Sequence, residues 1–296
     1  MDIIISVITV NYNGVKDTCA LIDSIPSDDS IEVIVVDNAS AKDEATEISQ
    51  RYPNVHVIRS IQNLGFAGGN NLGLKAARGK YLYIVNNDTF LKGSDSDKHK
   101  SLQIMINRLE SSPTIGMVCP KILFAWPPNP IQFAGYTPLS RITIRNKAIG
   151  CGEEDRGQYQ NAHSTPYAHG AAMMIKREAL ENVGFMPECY FLYYEELDWS
   201  VMFTQTGYEI WYEPDSTIYH KESQTTGANS SLKTYYITRN RLLFVKRNIK
   251  SPIKWLSYSY LIGLVAVRDI IKYICNCHFD LAKAVCQGIR DFIFKL

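Results

Sequence analysis

Short apolar runs alternate with helical patterns through the first 120 residues, and this alternation constrains the fold more than any other feature. Apolar runs of strand length occupy residues 3–10, 31–36, 55–58 and 81–85. Helical patterns lie between them at residues 17–24, 43–52 and 70–78. Uninterrupted apolar runs suit strands that are covered on both faces. The alternation therefore predicts an α/β fold with a mostly parallel sheet flanked by helices.

Polar side chains cluster where three of these strands end. In sheets of this kind, ligands bind beyond the carboxyl ends of the strands, so these side chains are expected at one ligand-binding edge. They are Thr9, Asn11 and Asn13 at the first strand, Asp37 and Asn38 at the second, and Asn87 and Asp88 after residues 81–85.

The rest of the chain has less regular patterns. A helical pattern resumes near residue 94 and leads to a Pro-rich loop at residues 126–130. Residues 131–144 are predicted to form a hairpin or an irregular flap. The remaining predictions are a strand at 171–175, a helix at 177–183, a mobile Ser-, Thr- and Gly-rich loop at 223–231, and a mainly helical end.

A Gly-rich segment at residues 63–73 contains Asn63, Gly65, Phe66 and Asn70. Glycines permit turns that other residues avoid and let a ligand approach the backbone. Asn70 is expected to cap the following helix and leave its amides facing a ligand. The spacing matches neither the dinucleotide fingerprint nor the P-loop, so an ordinary Gly-rich turn remains an alternative.

Asp88 and His220 are candidate ligands of a divalent cation. A carboxylate at a strand exit suits a hard cation that is shared with substrate phosphates. The alternative is that Asp88 belongs to a turn with Asx hydrogen bonds. His220 follows a strand-like run and is a ligand only if it reaches Asp88; otherwise it is structural or exposed.

Three carboxylates, Glu195, Glu196 and Asp198, lie within four residues in the aromatic segment 190–199. Acidic residues also favour the first turn of an exposed helix, which is the alternative interpretation. Partial burial among the aromatic rings would raise the carboxyl pKa values towards those of a useful base. The segment is therefore the main catalytic candidate.

Taken in order, these motifs resemble glycosyltransferase family 2, and in particular its rhamnosyltransferase-like branch. The similarity covers about residues 5–245 and includes a Gly-Tyr pair at 207–208 and an Arg-Asn-Arg run at 239–241. It implies a GT-A fold, which is a Rossmann-like sheet flanked by helices. It also implies a domain at residues 1–240, with a nucleotide-sugar half at 1–120 and an acceptor half at 121–240. Residues 241–296 would form a C-terminal helical extension.

The resemblance also implies roles for individual residues. Glu196 takes the position of the catalytic base, and Glu195 and Asp198 support the acceptor site. Asp88 and His220 take the positions of ligands to Mn²⁺ or Mg²⁺. The expected nucleotide-sugar set comprises Thr9, Asn11 and Asp37 around base and ribose, Asn63, Gly65, Phe66 and Asn70 along the ribose and diphosphate, and the neighbouring Asn13, Asn38 and Asn87.

This sequence departs from the family pattern at two functional positions. Asn86 and Asn87 precede Asp88 where the family often has Pro or Asp, which suggests a weakly held metal. The base is Glu196, where Asp is frequent, and its longer side chain suggests a slightly more distant acceptor. The implied reaction is inverting transfer from a dTDP-, UDP- or GDP-linked sugar, with L-rhamnose as the best guess, to a glycan or lipid-linked hydroxyl acceptor.

Composition excludes some alternatives. Lys and Arg total 31 against 30 Asp and Glu, so nothing indicates a nucleic-acid partner. Seven scattered cysteines indicate free thiols in a reducing compartment. The apolar N-terminus lacks a basic leader and a cleavage site, and no apolar run is long enough to span a bilayer. A cytoplasmic location is expected, with contact at the inner face of the plasma membrane left open.

The C-terminal segment has two open interpretations. Residues 255–267 are mostly apolar and are flanked by Lys254 and Arg268, and residues 241–296 contain ten Lys or Arg and three Asp. A basic, amphipathic segment suits peripheral contact with an anionic membrane through residues 250–296. Packing on the catalytic domain or in a homodimer is the alternative. A nucleotidyltransferase and a noncatalytic nucleotide-sugar-binding module are the alternative functions.

Overall fold

A computed structural model describes residues 2–222 and 230–295. The strands are β1 (Ile5–Asn11), β2 (Ile31–Asp37), β3 (His56–Arg59), β4 (Tyr81–Val85), β5 (Thr89–Phe90), β6 (Ile115–Phe124), β7 (Ile131–Phe133), β8 (His163–Ser164), β9 (Ala172–Lys176) and β10 (Glu209–His220). The α-helices are α1 (Val15–Ser24), α2 (Glu44–Arg51), α3 (Gly65–Ala76), α4 (Asp95–Glu110), α5 (Arg177–Val183), α6 (Glu195–Gln205), α7 (Ser231–Asn248), α8 (Ile253–Tyr258), α9 (Val267–Cys275) and α10 (Phe279–Lys295).

All ten strands form one sheet, in the order β3-β2-β1-β4-β9-β6-β10-β5 with β7 beside β6 and β8 beside β10. The first four strands in this order are parallel, as the sequence predicts. β9 is antiparallel to both β4 and β6, whereas β10 is parallel to β6. As a result, β1, β2, β4, β6 and β10 all end at the same edge of the sheet, and β9 begins there.

Helix α3 begins five residues earlier than predicted, at Gly65, so Asn70 lies inside the helix and does not cap it. The glycines of this segment allow close packing on the sheet. A Cβ atom at Gly73 would lie 2.4 Å from Ile8 Cγ2, and one at Gly69 would lie 3.0 Å from the side chain of Val10. The glycines therefore let α3 pack closely on β1. The prediction that Asn70 caps the helix is wrong, and so is the alternative of an ordinary Gly-rich turn.

The strand β6 is absent from the sequence predictions, which give a helical and then Pro-rich pattern in this region. Every residue of β6 is buried. A short run that is apolar throughout cannot be assigned to strand or helix by its periodicity. Of residues 131–144, only the first three form a strand, and that strand pairs with β6 in antiparallel fashion. The prediction of a hairpin or irregular flap is thus confirmed in outline.

Three apolar clusters organise the described residues, and the smallest contains Ile22, Val35 and Ile48. The largest core lies between the sheet and its flanking helices. The second contains Tyr190 and Tyr194 from the loop before α6, together with residues 242–245 of α7 and Leu261 and Val265. The second core therefore fixes the loop that leads into the acidic segment against the C-terminal helices.

The C-terminal helices follow the sheet domain without a break at the expected boundary, because residue 240 lies inside α7. Residues 223–229 of the predicted loop at 223–231 lie outside the described residues. Ser230 caps α7, and Ser231 is its first residue. A π-helical segment at Ser259–Ala266 joins α8 to α9. None of the helices in the described ranges is both long and apolar enough to cross a membrane.

Candidate functional site

The ends of β1 and β2 carry a polar network around Asn11. Asn11 Nδ2 donates to Asp37 Oδ1 at 2.9 Å and to Glu44 Oε2 at 2.8 Å. Its Oδ1 accepts from Thr18 Oγ1 at 2.7 Å. Ser40 Oγ donates to the same oxygen of Asp37. Asn11 is completely buried, so its amide orients the neighbouring carboxylates.

Three buried polar atoms at this edge have no hydrogen-bond partner among the described residues. They are Thr9 Oγ1, Asp37 Oδ2 and Asn70 Oδ1. Leaving a buried polar atom unpaired costs about 1–3 kcal/mol, so such atoms call for an explanation. Binding of a polar ligand would satisfy them. The three residues are among those that the family resemblance assigns to the nucleotide sugar.

The other predicted amides hold the loops together. Asn38 Nδ2 donates to Asn63 Oδ1 at 3.0 Å and to the carbonyl of Gly65 at 3.1 Å. Asn13 Oδ1 accepts from the backbone of Ala41 at 2.8 Å. Asn87 Nδ2 donates to Thr18 Oγ1 at 3.1 Å. These side chains shape the edge of the sheet through contacts within the protein.

Gly65 and Phe66 connect this edge to the acidic segment. The amide of Phe66 donates to the carbonyl of Phe191 at 2.8 Å. Gly65 has φ +71°, and a Cβ atom there would lie 2.1 Å from the same carbonyl oxygen. A Cβ atom added to Gly170 would lie 3.8 Å from both Phe66 Cζ and Glu196 Cγ. Phe66 and Glu196 therefore both lie next to Gly170.

Asp88 and His220 meet as the metal hypothesis requires. His220 Nε2 lies 3.0 Å from Asp88 Oδ1, and both side chains are 8 % exposed. His220 Nδ1 lies 2.8 Å from Gln132 Oε1. Backbone pairing holds the two side chains close together. His220 of β10 pairs with Thr89 of β5, and the amide of Lys221 donates to the carbonyl of Asp88.

The residues at this position fit a divalent cation. The 3.0 Å separation is that of a direct hydrogen bond or ion pair between the two side chains, and it also lets both atoms bind one cation at about 2.1 Å. Gln132 would orient His220 by holding its second ring nitrogen. Within residues 2–222 and 230–295, no three His, Cys, Asp or Glu side chains converge as a metal site. Further ligands would therefore have to come from water or from the donor phosphates.

The acidic segment begins with a strained loop. Phe191, Tyr193 and Tyr194 all have positive φ angles, between 67° and 79°. Non-Gly residues rarely adopt this conformation, and such strain often occurs at functional sites. Asn240 Nδ2 compensates by donating to the carbonyls of Tyr190, Leu192 and Tyr193 at 2.7–2.9 Å. The Arg-Asn-Arg run thus braces the loop that presents the acids.

Glu195 and Glu196 open helix α6 at the end of this loop. Glu195 is 3 % exposed, and its Oε2 has no partner among the described residues. Burial and the neighbouring Glu196 raise the pKa of Glu195 well above its ordinary value. Glu196 is half-buried, and desolvation raises its pKa as well. The two acids hold protons more tightly than ordinary glutamates do.

Asp198 is in a different environment from the other two acids. It is 1 % exposed and pairs with Arg247. Asn248 Nδ2 donates to its other oxygen at 2.8 Å. Both oxygens of Asp198 therefore join α6 to the end of α7, and its side chain is not directed into an open site.

His169 is a residue of this region that the sequence predictions missed. Its ring stacks on Tyr136 with centroids 6.0 Å apart, and its Nδ1 accepts from the amide of Ala171 at 3.1 Å. Burial, together with the nearby His220, lowers its pKa to about 3. The available signal was a His-Gly pair just before a strand. That signal becomes informative only once β9 is known to begin at the ligand-binding edge.

The mixed sheet with its flanking helices is a GT-A fold, which occurs in transferases that use nucleotide-sugar donors. The model for "Glycosyl transferase family 2" matches residues 6–184, more than half of the chain, and the chain belongs to that family. This confirms the resemblance and the fold that the sequence predicts.

Relatives support the assignment at lower identity. The chain is 26 % identical to the low-salt glycan biosynthesis hexosyltransferase Agl10 of Haloferax volcanii, covering 90 % of this chain and 84 % of that protein. It is 21 % identical to the N-acetylglucosaminyl-diphospho-decaprenol L-rhamnosyltransferase of Mycobacterium tuberculosis, over 78 % and 81 % of the two chains. The mannosyltransferase PcManGT from Pyrobaculum calidifontis, solved with GDP-Man and Mn²⁺, shares the fold with a TM-score of 0.58, 15 % identity and coverage of 100 % and 88 %.

Proposed function

We propose that this protein is an inverting, metal-dependent hexosyltransferase of cell-surface polysaccharide synthesis. The observation that carries the proposal is the placement of two groups of ionisable side chains at one edge of the sheet. One group, Asp88 with His220, suits a cation. The other, Glu195 with Glu196, suits proton transfer.

The donor would bind along the ends of β1 and β2 and the start of α3. Thr9, Asn11 and Asp37 would contact base and ribose, and the unpaired oxygens at this edge support that placement. Phe66 and Asn70 would line the diphosphate region, with the loops held by the amide network. We propose dTDP-L-rhamnose as the donor, and the name of the mycobacterial relative supports rhamnose as the sugar. UDP- and GDP-linked hexoses are the alternatives.

Asp88 and His220 would hold Mn²⁺ or Mg²⁺. When bound, the cation neutralises charge that develops on the departing diphosphate. The near-burial of Asp88 and His220 limits competition from water, so the charge of the ion acts strongly on the phosphates. Gln132 would keep His220 in the orientation that presents Nε2 to the ion.

Glu196 would remove the proton from the acceptor hydroxyl as that oxygen attacks the anomeric carbon. Its raised pKa makes it a stronger base than an exposed glutamate. A single displacement that uses one base inverts the configuration at the anomeric carbon. Glu195 would assist as the more deeply buried neighbour of the base, and Asp198 would act indirectly by fixing α6 on α7.

The acceptor would be a glycan or lipid-linked glycan, and we place the enzyme at a membrane surface. Of fifteen exposed large hydrophobic side chains among the described residues, nine lie between residues 255 and 294. Residues 241–296 have a formal charge of +7, so residues 1–240 have −6 within a chain of +1. An apolar surface on a basic segment is complementary to an anionic bilayer.

A homodimer through the same helices is the second candidate for this surface. In a symmetric dimer, two +7 segments would face one another. Their acids cannot compensate for this, because Asp269, Asp280 and Asp291 already bond to Arg268, Ser231 and Arg290, respectively. Charge therefore favours the bilayer over a second copy of the chain.

The enzymatic proposal is tested with a panel of dTDP-, UDP- and GDP-linked sugars, with release of the nucleotide as the readout. Each donor is incubated with Mn²⁺, with Mg²⁺ and with EDTA. We expect slow, cation-dependent hydrolysis of one donor even without its acceptor. If no donor binds or turns over with either cation, the protein is a noncatalytic binding module or a nucleotidyltransferase, and the proposal fails.

The membrane proposal is tested by flotation with phosphatidylcholine vesicles, with and without phosphatidylglycerol. Ile271→Glu places a charge on the exposed surface of α9, and Ile61→Glu makes the same change at a fully exposed site in the sheet domain. We expect Ile271→Glu to weaken binding to anionic vesicles about tenfold, since one buried Ile side chain contributes about that much. Equal binding by the two variants would contradict the proposal, as would a dimer that Ile271→Glu disrupts without any vesicle binding.

A further inference from the structure

A cavity of about 190 Å³ lies between the C-terminal helices, apart from the edge of the sheet that carries the acids. Helix α7, the π-helical segment with α9, and α10 each form one side. Much of the wall is apolar, with Leu242, Leu261, Val265, Val285 and Ile289 contributing. A cavity of this size has room for several water molecules at about 30 Å³ each, so it can admit a small ligand group.

Three cationic side chains, Arg145, Lys233 and Arg241, line the same cavity. Asp269 is its one acidic lining residue among those described, and that carboxylate is held by Arg268 at 2.6 Å. Within the described ranges, neither Arg145 nor Lys233 forms an ion pair. The cavity therefore combines apolar walls with positive charge that is not locally neutralised.

The cavity is connected to the acidic segment through Arg241. Arg241 Nε donates to the hydroxyl of Tyr194 at 2.8 Å, and Tyr194 immediately precedes Glu195. The neighbouring Asn240 holds the same loop through three backbone carbonyls. A ligand that contacts Arg241 would therefore touch a residue that also bonds to the loop presenting the proposed base.

We infer that this cavity binds the phosphate head and the first chain segment of a phosphate-linked lipid. Arg145, Lys233 and Arg241 would contact the phosphate oxygens, because arginine and lysine bind phosphate through charge-assisted hydrogen bonds. The apolar wall would receive the adjoining part of the chain, and the rest would continue towards the exposed apolar residues of α9. The inference rests on the proposed function insofar as this lipid is the acceptor.

Binding is measured by calorimetry in EDTA, which suppresses metal-dependent binding of diphosphates at the donor site. The probes are farnesyl diphosphate, inorganic pyrophosphate and farnesol. Farnesyl diphosphate should bind at least about tenfold more tightly than either fragment, because the cavity offers both charge and apolar surface. Pyrophosphate binding as tightly as farnesyl diphosphate would overturn the inference.

The matched variants are Arg145→Gln, which removes a lining cation, and Lys147→Gln, which removes a nearby cation outside the cavity. Arg145 is exposed, so the first change should not prevent folding. We expect about a tenfold loss of farnesyl diphosphate affinity for Arg145→Gln, typical of a lost hydrogen bond to a charged group, and little change for Lys147→Gln. Equal affinities for the two variants would overturn the inference.

A further probe, the phospholipid dihexanoylphosphatidylglycerol, distinguishes a prenyl-linked acceptor from a membrane phospholipid as the ligand of the cavity. Tighter binding of farnesyl diphosphate, lost in Arg145→Gln, assigns the cavity to a prenyl-linked acceptor. If the two probes bind equally well and Arg145→Gln loses both, the cavity binds phosphate-linked lipids in general. That result overturns its assignment to the acceptor. If wild type hydrolyses no donor yet binds the lipid probe, the proposed function fails while the cavity site stands.

Discussion

Asp88 and Glu195 are both nearly buried, but their surroundings differ. Asp88 lies against His220, with Gln132 behind the imidazole. Glu195 has another acid, Glu196, beside it and no cationic partner, so burial raises its pKa. A buried carboxylate can keep its charge next to a cation, whereas two neighbouring buried acids retain protons. The comparison supports our proposal that the first site holds the cation and the second transfers the proton.

The largest of the predicted effects is expected for Glu196→Gln, which removes the proposed base. Removing a general base costs typically 10²–10⁴-fold, so we expect about a thousandfold loss of sugar transfer with nearly unchanged donor affinity. Rates of transfer with saturating donor and acceptor measure the effect. Glu195→Gln is the matched comparison, and a greater loss in that variant would exchange the roles of the two acids.

The pH dependence of wild-type transfer sharpens the same point. Because the pKa of Glu196 is raised above 4.5, the base becomes protonated, and transfer falls, at a higher pH than for an ordinary glutamate. This acidic limb should be missing from the residual activity of Glu196→Gln. An unchanged limb in the variant would mean that another group titrates.

Asp88→Asn should reduce cation-dependent donor hydrolysis by about a hundredfold, because charge stabilisation by a metal contributes several kcal/mol. The same side-chain change at the exposed Asp95 controls for nonspecific effects. Release of nucleotide at increasing Mn²⁺ measures the effect. Activity restored to the wild-type value at high Mn²⁺ would show weakened binding of the cation, and activity unchanged at all concentrations would remove Asp88 from the site.

Asp198→Ala tests whether the third acid is structural. Breaking a buried ion pair costs about 3–5 kcal/mol, and exposure of Arg247 lowers our expectation to about 2–4 kcal/mol of unfolding free energy. Denaturant unfolding measures this loss, with Asp23→Ala at an exposed pair as the control. If transfer is lost while stability is unchanged, Asp198 acts at the acceptor after all.

The smallest of the predicted effects is that of Glu195→Gln on thermal stability. A carboxyl group with a raised pKa favours the folded state at low pH, and that contribution disappears as pH rises through the raised value. We therefore expect the variant to melt a few degrees higher than wild type near pH 8 and almost equally near pH 5. Glu178→Gln, at an exposed position, should show no such difference between the two pH values.

The sequence predicted the proposed donor side of the molecule better than the proposed acceptor side. The ends of β1, β2 and β4 are set by local apolar runs, so Asn11, Asp37 and Asp88 could be placed at one edge from pattern alone. His169 reaches that edge only because β9 runs antiparallel to β4, and strand direction is not encoded in a short apolar run. The sequence predictions missed β6 for a related reason, because an apolar run without periodicity does not distinguish a strand from a helix.

The acidic segment shows a second limit of sequence reasoning. Its aromatic context correctly indicated buried acids, but three adjacent motif acids looked alike. The structure separates them, because Asp198 meets Arg247 and Asn248 from a helix about fifty residues later. Such pairing depends on how α6 packs against α7, which neither local spacing nor composition determines.

The most direct test of the division between the two carboxylate sites is calorimetric binding of the nucleotide diphosphate of the preferred donor, with Mn²⁺ and with EDTA. Wild type and Glu196→Gln should bind at least about tenfold more tightly with Mn²⁺, because the ion bridges protein and phosphates. Asp88→Asn should lose that enhancement. An enhancement retained by Asp88→Asn, or lost in Glu196→Gln alone, would contradict the account.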